Sequence, residues 1–309
     1  MTSCVVQRPG GVCIAVTDLG GDGPVVVLLH GLAGSSRELL RTARALQDHR
    51  VLLVDQRGHG ASTRLPDDLS RDAFVGDVVA AIEELAPGSR ATLVGQSMGA
   101  HTAFLVTAAR PDLVEGLVML EGHVAGNGDP GEAAGLGSYF ESWPVPFRDE
   151  AAAREFLGDD AIVDAWVADL QSTDDGLVPR FDSAVMQRTI EAVHEPRWDE
   201  WEALQVPTLA IFAKHGMFSD ADKDELIRRR PETVRVDLSG GSHDAHLDAF
   251  DEWIDVLRRW LSGSSRTRVW SPERVAGRIG VEVSLRMEVL TLPIRKTSTC
   301  PSLLSSRPI

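Results

Sequence analysis

The sequence has only three cysteines, Cys4, Cys13 and Cys300. An odd, widely spaced set makes neither a disulfide framework nor a Cys-x-x-Cys metal pair. Such a chain suits a reducing compartment, so a cytoplasmic protein is expected. Basic residues are in deficit, 31 Lys and Arg against 46 Asp and Glu, for a formal net charge of −15. That balance repels nucleic acid and anionic membrane, and neither is an expected partner. No stretch of about 18 apolar residues is present, which excludes a membrane-spanning helix. The first residues lack a basic segment followed by an apolar core, so no secretion signal is read there. His123, Asp244 and His246 do not make a metal-ligand set with recognisable spacing, and no metal or cofactor is expected. Nothing in the sequence fixes an oligomeric state.

What the chain does contain is alternation. It has 309 residues, 43% of them hydrophobic, enough for one large α/β domain or two. Apolar runs at Val25–Leu29, Arg50–Asp55, Ala91–Val94, Gly116–Leu120 and Val206–Phe212 read as strands buried on both faces. Helical stretches at Arg37–Asp48, Asp72–Leu85 and Ala100–Arg110 separate the earlier ones. A short strand is expected over Val12–Val16, an edge strand over Thr233–Leu238 and an amphipathic helix over Ala249–Leu261. This order predicts a mostly parallel, doubly wound sheet. Between His123 and Gln205 strand-type runs disappear and nine of the 17 aromatic residues gather. That segment, 123–205, is expected to be a helical cap inserted into a core formed by 1–122 and 206–261. Most of its aromatics should form the cap's own core, and a few should line a pocket. Residues 262–309 carry eight basic residues against three Glu and no hydrophobic period, and they read as a poorly ordered basic appendage.

The chemistry-bearing residues sit where these strands end. Val94-Gly95-Gln96-Ser97-Met98-Gly99 follows a strand and opens a helix, fitting the Gly-x-Ser-x-Gly elbow. Gly95 and Gly99 let strand and helix approach around a strained serine. His30-Gly31-Leu32 follows another strand, Glu121 closes a third, and His243 lies on the last loop. A nucleophile, a base, an acid to orient the base and donors for an oxyanion are the four parts that acyl transfer needs.

These motifs, with Asp55-Gln56-Arg57-Gly58-His59-Gly60-Ala61-Ser62 and Gly241-Ser242-His243, resemble the α/β-hydrolase superfamily over Val12 to Leu261. The similarity is to its cap-bearing serine hydrolases with short His-Gly loops. The resemblance implies Ser97 as nucleophile, His243 as general base and then acid, and the backbone N–H groups of Leu32 and Met98 as the oxyanion hole. His30, His59 and His101 read as structural, and Asp55 as a brace for the Arg57 loop. The acid departs from the common pattern. A Gly-x-x-Asp turn laid on Ala213-Lys214-His215-Gly216 puts glycine where the carboxylate should stand. Glu121, a charge closing an apolar strand, is costly to bury unless used, and it is favoured over Asp220, which also suits a helix N-cap. Trp143, Phe140 and His123 are candidates for substrate contact. The expectation is a cofactor-free serine hydrolase acting on an ester, thioester or related acyl bond of a small, mostly apolar molecule. A carbon–carbon bond hydrolase or lyase on the same triad, or a ligand receptor without turnover, would use the same residues.

Overall fold

A computed structural model describes residues 1–125 and 130–264. The elements in chain order are β1 (Thr2–Arg8), β2 (Val12–Asp18), β3 (Val25–Leu29), α1 (Leu40–Ala45), β4 (Arg50–Val54), α2 (Arg71–Leu85), β5 (Ala91–Gln96), α3 (Met98–Ala109) and β6 (Val114–Leu120). An inserted segment follows, comprising α4 (Pro130–Glu141), α5 (Glu150–Leu157), α6 (Ala161–Asp169), β7 (Gln171–Thr173), β8 (Gly176–Val178), α7 (Ser183–Val193) and α8 (Trp198–Ala203). The sheet then resumes with β9 (Thr208–Phe212), α9 (Asp220–Arg229), β10 (Val234–Asp237), α10 (Ala245–Asp248) and α11 (Phe250–Ser264).

Eight strands form one sheet in the order β1-β2-β4-β3-β5-β6-β9-β10. The β1-β2 and β2-β4 pairings are antiparallel, and every pairing from β4 to β10 is parallel. The central strands are apolar on both faces because helices cover both: Val26 to Leu29 and Leu117 to Met119 are each fully buried. Helix α3 is enclosed as well, with Met98 to Thr107 buried, which is why it shows no polar face. Local chemistry sets the other helix ends. Ser70 Oγ accepts from Ala73 N at 3.3 Å at the start of α2, and Ser219 and Asp222 exchange bonds in a capping box at the start of α9.

Four features of the structure go beyond or differ from what the sequence pattern predicts. Strand β1 was not foreseen, and it has one fully buried side chain, Val6, and pairs on one edge only. The helix expected over Arg37–Asp48 shrinks to Leu40–Ala45, because Arg37 N bonds Ser35 Oγ and the Glu38 carboxylate turns back to Gly31 N. The inserted segment is not free of strands: β7 and β8 pair as a small antiparallel ribbon. Helix α11 runs on to Ser264, and the basic appendage expected beyond it lies outside the described residues.

Candidate active site

Ala33, Ser97 and Glu121 are the non-glycine residues with left-handed φ among the described residues, at 59°, 53° and 47°. They follow β3, β5 and β6, three adjacent parallel strands, at the same edge of the sheet. Backbone strain of this kind persists only where surrounding structure enforces it, and it gathers at functional sites. Ser97 stands at the turn from β5 into α3, with its N–H bonded to Leu120 O at 2.9 Å. A Cβ on Gly99 would run into the Leu29 and His30 carbonyls, so only glycine lets α3 start this close to β3. Met98 is the first residue of α3, and its N–H is one of the helix's donors without an intrahelical partner.

The carboxylate that meets His243 comes from Glu121. Its side chain is fully buried, and Oε2 lies 3.3 Å from His243 Nδ1. Oε1 accepts from Ala213 N at 2.7 Å and Oε2 from Met217 N at 2.9 Å, both on the loop after β9. Strands β6 and β9 are neighbours, with Leu120 opposite Ile211, so a side chain leaving one can settle in the loop of the other. A Cβ at Gly216 would fall on the Glu121 carboxylate itself. Residue 216, the position where the common pattern has its aspartate, is thus glycine because a carboxylate already occupies its side-chain space. Asp220 is placed elsewhere: its side chain is 90% exposed, 3.7 Å from Lys223 Nζ, and Ser219 rather than Asp220 caps the helix.

Two cavities flank Ser97 and His243, both of which line each one. The first, about 160 Å³, is bounded by Met98, His123, Val193, Phe218 and Asp222. The second, about 220 Å³, lies on the side of Gly31 and Leu32 and is walled by Leu136, Tyr139, Phe140, Ile162 and Trp166. Glu132, Ile190, His194 and Met217 line both. Phe140 and His123 therefore face the site. Trp143 does not: it is buried among Phe140, Phe147, Trp166 and Phe181 in the core of the inserted segment. His123 is itself held in place, stacked on Phe218 and edge-on to Trp198.

Buried polar groups brace the loops. His30 Nε2 accepts from Gln56 N at 3.0 Å, which leaves Nδ1–H to donate to Gly31 O at 2.7 Å. Burial pulls the pKa of His30 down, and that of His59 to about 3, so both stay neutral. His101 is likewise kept neutral by burial. Asp55 accepts from Ser36 N at 2.6 Å and Ala61 N at 2.8 Å, tying two loops together. Arg57 grips Asp77 through two bonds of 2.7 and 2.6 Å beneath them. Two further acids, Glu38 and Asp244, face the second cavity. Burial, and then the Asp244 charge, hold the Glu38 carboxyl well above its ordinary range. Burial likewise raises Asp244. Among the described residues no Lys or Arg lines either cavity, and no group of three His, Cys, Asp or Glu is placed to hold a metal ion.

A family model described as the alpha/beta hydrolase fold matches residues 24–148. The chain is similar to the esterase YbfF of Escherichia coli, 28% identical over 246 residues covering 77% of this chain and 92% of that one. It is also similar to 2-(acetamidomethylene)succinate hydrolase of Mesorhizobium japonicum, 27% identical over 76% of this chain and 90% of the relative. Among solved structures, an E-2-(acetamidomethylene)succinate hydrolase superposes with a TM-score of 0.75 at 24% identity, covering 84% of this chain and 99% of that one.

Proposed function

Because the chain belongs to the α/β-hydrolase superfamily of enzymes, we propose that it is a serine hydrolase that cleaves an ester, thioester or related acyl bond of a small, mostly apolar molecule. The observation that carries this reading is the buried Glu121 carboxylate, fixed by two backbone N–H groups and set against His243 Nδ1 beside the strained Ser97. In that arrangement Ser97 Oγ attacks the acyl carbonyl while His243 Nε2 takes its proton. Glu121 keeps the Nδ1–H tautomer and stabilises the imidazolium that forms. The N–H groups of Leu32 and Met98 receive the developing oxyanion. The tetrahedral adduct collapses to an acyl-enzyme as His243 returns the proton to the leaving group. Water, deprotonated by His243, then releases the acid.

Segment 123–205 serves as the cap, with Leu136, Phe140, Ile162 and Trp166 presenting an apolar wall to the substrate. The name of the Mesorhizobium relative points to a small dicarboxylate as a second substrate class. The lining disfavours it here: Glu38, Glu132, Asp222 and Asp244 face the cavities, and among the described residues no Lys or Arg does. A carbon–carbon bond hydrolase, a lyase or a receptor without turnover would keep the same residues, and turnover separates them. The test is labelling with a fluorophosphonate, followed by a screen of uncharged 4-nitrophenyl esters. Wild type should label and Ser97→Ala should not. Failure of wild type to label would sink the reading.

A further inference from the structure

Gln96 immediately precedes Ser97, and its side chain is almost fully enclosed, at 3% exposure. An amide at this depth must spend its donors and acceptor on defined partners. Its Nε2 donates to the His243 carbonyl at 3.0 Å and reaches Asp244 Oδ1 at 3.4 Å. Its Oε1 occupies the space where a Cβ on Gly31 would lie, so it packs directly on the loop that carries Leu32. Its backbone, the last residue of β5, is paired with Leu120, the residue before Glu121. One side chain thus touches the loop of the base and the oxyanion loop, from a backbone locked to the nucleophile on one side and to the strand of the acid on the other.

The loop bearing His243 has further main-chain anchors, and the His243 ring itself meets the Glu121 carboxylate. Lys214 N and His215 N bond Gly240 O and Gly241 O, Ser242 N bonds the Asp248 carboxylate, and Asp244 N bonds Ser242 Oγ. These hold residues 240–242 and 244. The carbonyl of His243 itself is held from the interior by Gln96. We propose that Gln96 is a positioning residue, whose amide donor clamps the main chain of His243 to the strand of the nucleophile and so sets the reach of the imidazole toward Ser97. This rests on the serine-hydrolase reading. The clamp acts on a transition-state geometry rather than on substrate affinity, and misplacement of a catalytic group by about 1 Å can cost roughly a hundredfold in rate.

The experiment compares wild type with Gln96→Leu, which keeps bulk and loses the amide, and Gln96→Met, which keeps the length of the side chain and loses both donor and acceptor. Steady-state hydrolysis of 4-nitrophenyl butyrate, the second-order rate of fluorophosphonate labelling, the low-field NMR signal of the His243 Nδ1 proton and thermal melting are followed together. Both variants are expected to lower kcat by about ten- to a hundredfold with KM within twofold of wild type. Labelling should slow by the same factor and the Nδ1 resonance should move. A fall in melting temperature with kcat of the folded fraction unchanged would show a purely structural role and overturn the proposal. A change confined to KM would make Gln96 a substrate contact and also overturn it. Full activity in Gln96→Met would show that shape, not the donor, matters, and would overturn the proposal. Wild-type protein that neither labels nor hydrolyses would remove the serine-hydrolase reading together with this one, whereas equal labelling of wild type and Gln96→Leu removes this one alone.

Discussion

The position of the acid can be tested by moving it. Glu121→Gln keeps the outline of the side chain but turns an NH2 toward Ala213 N–H or Met217 N–H, each of which now donates to a carboxylate oxygen. A buried donor left facing a donor costs about 1–3 kcal/mol. The larger effect is chemical, since replacing the orienting carboxylate of a Ser-His-acid set by its amide has cost about ten-thousandfold in kcat, roughly 5 kcal/mol at 1.36 kcal/mol per decade. Gly216→Asp alone should also be damaging, because the new side chain starts inside the volume of the Glu121 carboxylate and brings a second negative charge into a fully buried space. The double variant Glu121→Ala, Gly216→Asp frees that volume and supplies a carboxylate from the neighbouring strand. Its kcat/KM should exceed that of either single variant by at least about tenfold, a non-additivity that only groups sharing one space produce. The assay is kcat/KM on an uncharged 4-nitrophenyl ester, with circular dichroism to confirm folding. Retention of a third or more of wild-type activity by Glu121→Gln, with no gain in the double variant, would refute the assignment. Asp220→Asn, whose side chain is solvent-exposed, should remain within twofold of wild type.

Ser97→Gly removes a Cβ from a residue at φ 53° and should raise thermal stability by about 1 kcal/mol while abolishing labelling, as followed by calorimetry and fluorophosphonate. Glu38 gives a pH signature. Its carboxyl titrates higher in the folded chain than in the unfolded one, so the unfolded state loses its proton first as pH rises from 4.5. Stability tied to this group is fully present below that value and declines with rising pH until the folded carboxyl ionises. Glu38→Gln, which keeps an oxygen for Gly31 N, should flatten that decline in urea melts taken at several pH values.

The alternation of strands and helices was legible because central parallel strands are apolar on both faces, as in Val25–Leu29, and such runs stand out. Ser97 could be picked out for a different reason: a sharp turn at a strand end demands glycine on either side and leaves a short signature. Strand β1 escaped because an edge strand with a single fully buried side chain, Val6, has almost no pattern, and Pro9-Gly10-Gly11 beside it reads as loop. The aromatics of the inserted segment looked alike in sequence, yet Phe140 reaches the cavity and Trp143 is enclosed although both rings meet Phe181, a distinction that only the packing of the segment makes. Glu121 could be suspected from the cost of burying a charge. That it fills the side-chain space of residue 216 was invisible, because proximity across β6 and β9 is a property of the sheet and not of the chain. Gln96 carried no signal at all, since its position in the elbow motif accepts any residue type.

The strand order has a consequence for how the molecule comes into being. Leu32, Ser97, Glu121 and His243 hang from the ends of β3, β5 and β6 and from the loop after β10, yet the chain must cross the whole inserted segment before β9 and β10 can join their neighbours. Contacts across such a long stretch of sequence form late, since loop closure comes before any reward from pairing. In refolding, helix content should recover well before hydrolysis does. Enzymatic turnover in this chain is therefore a clock for the last act of folding, the docking of its C-terminal strands against a sheet that is already built.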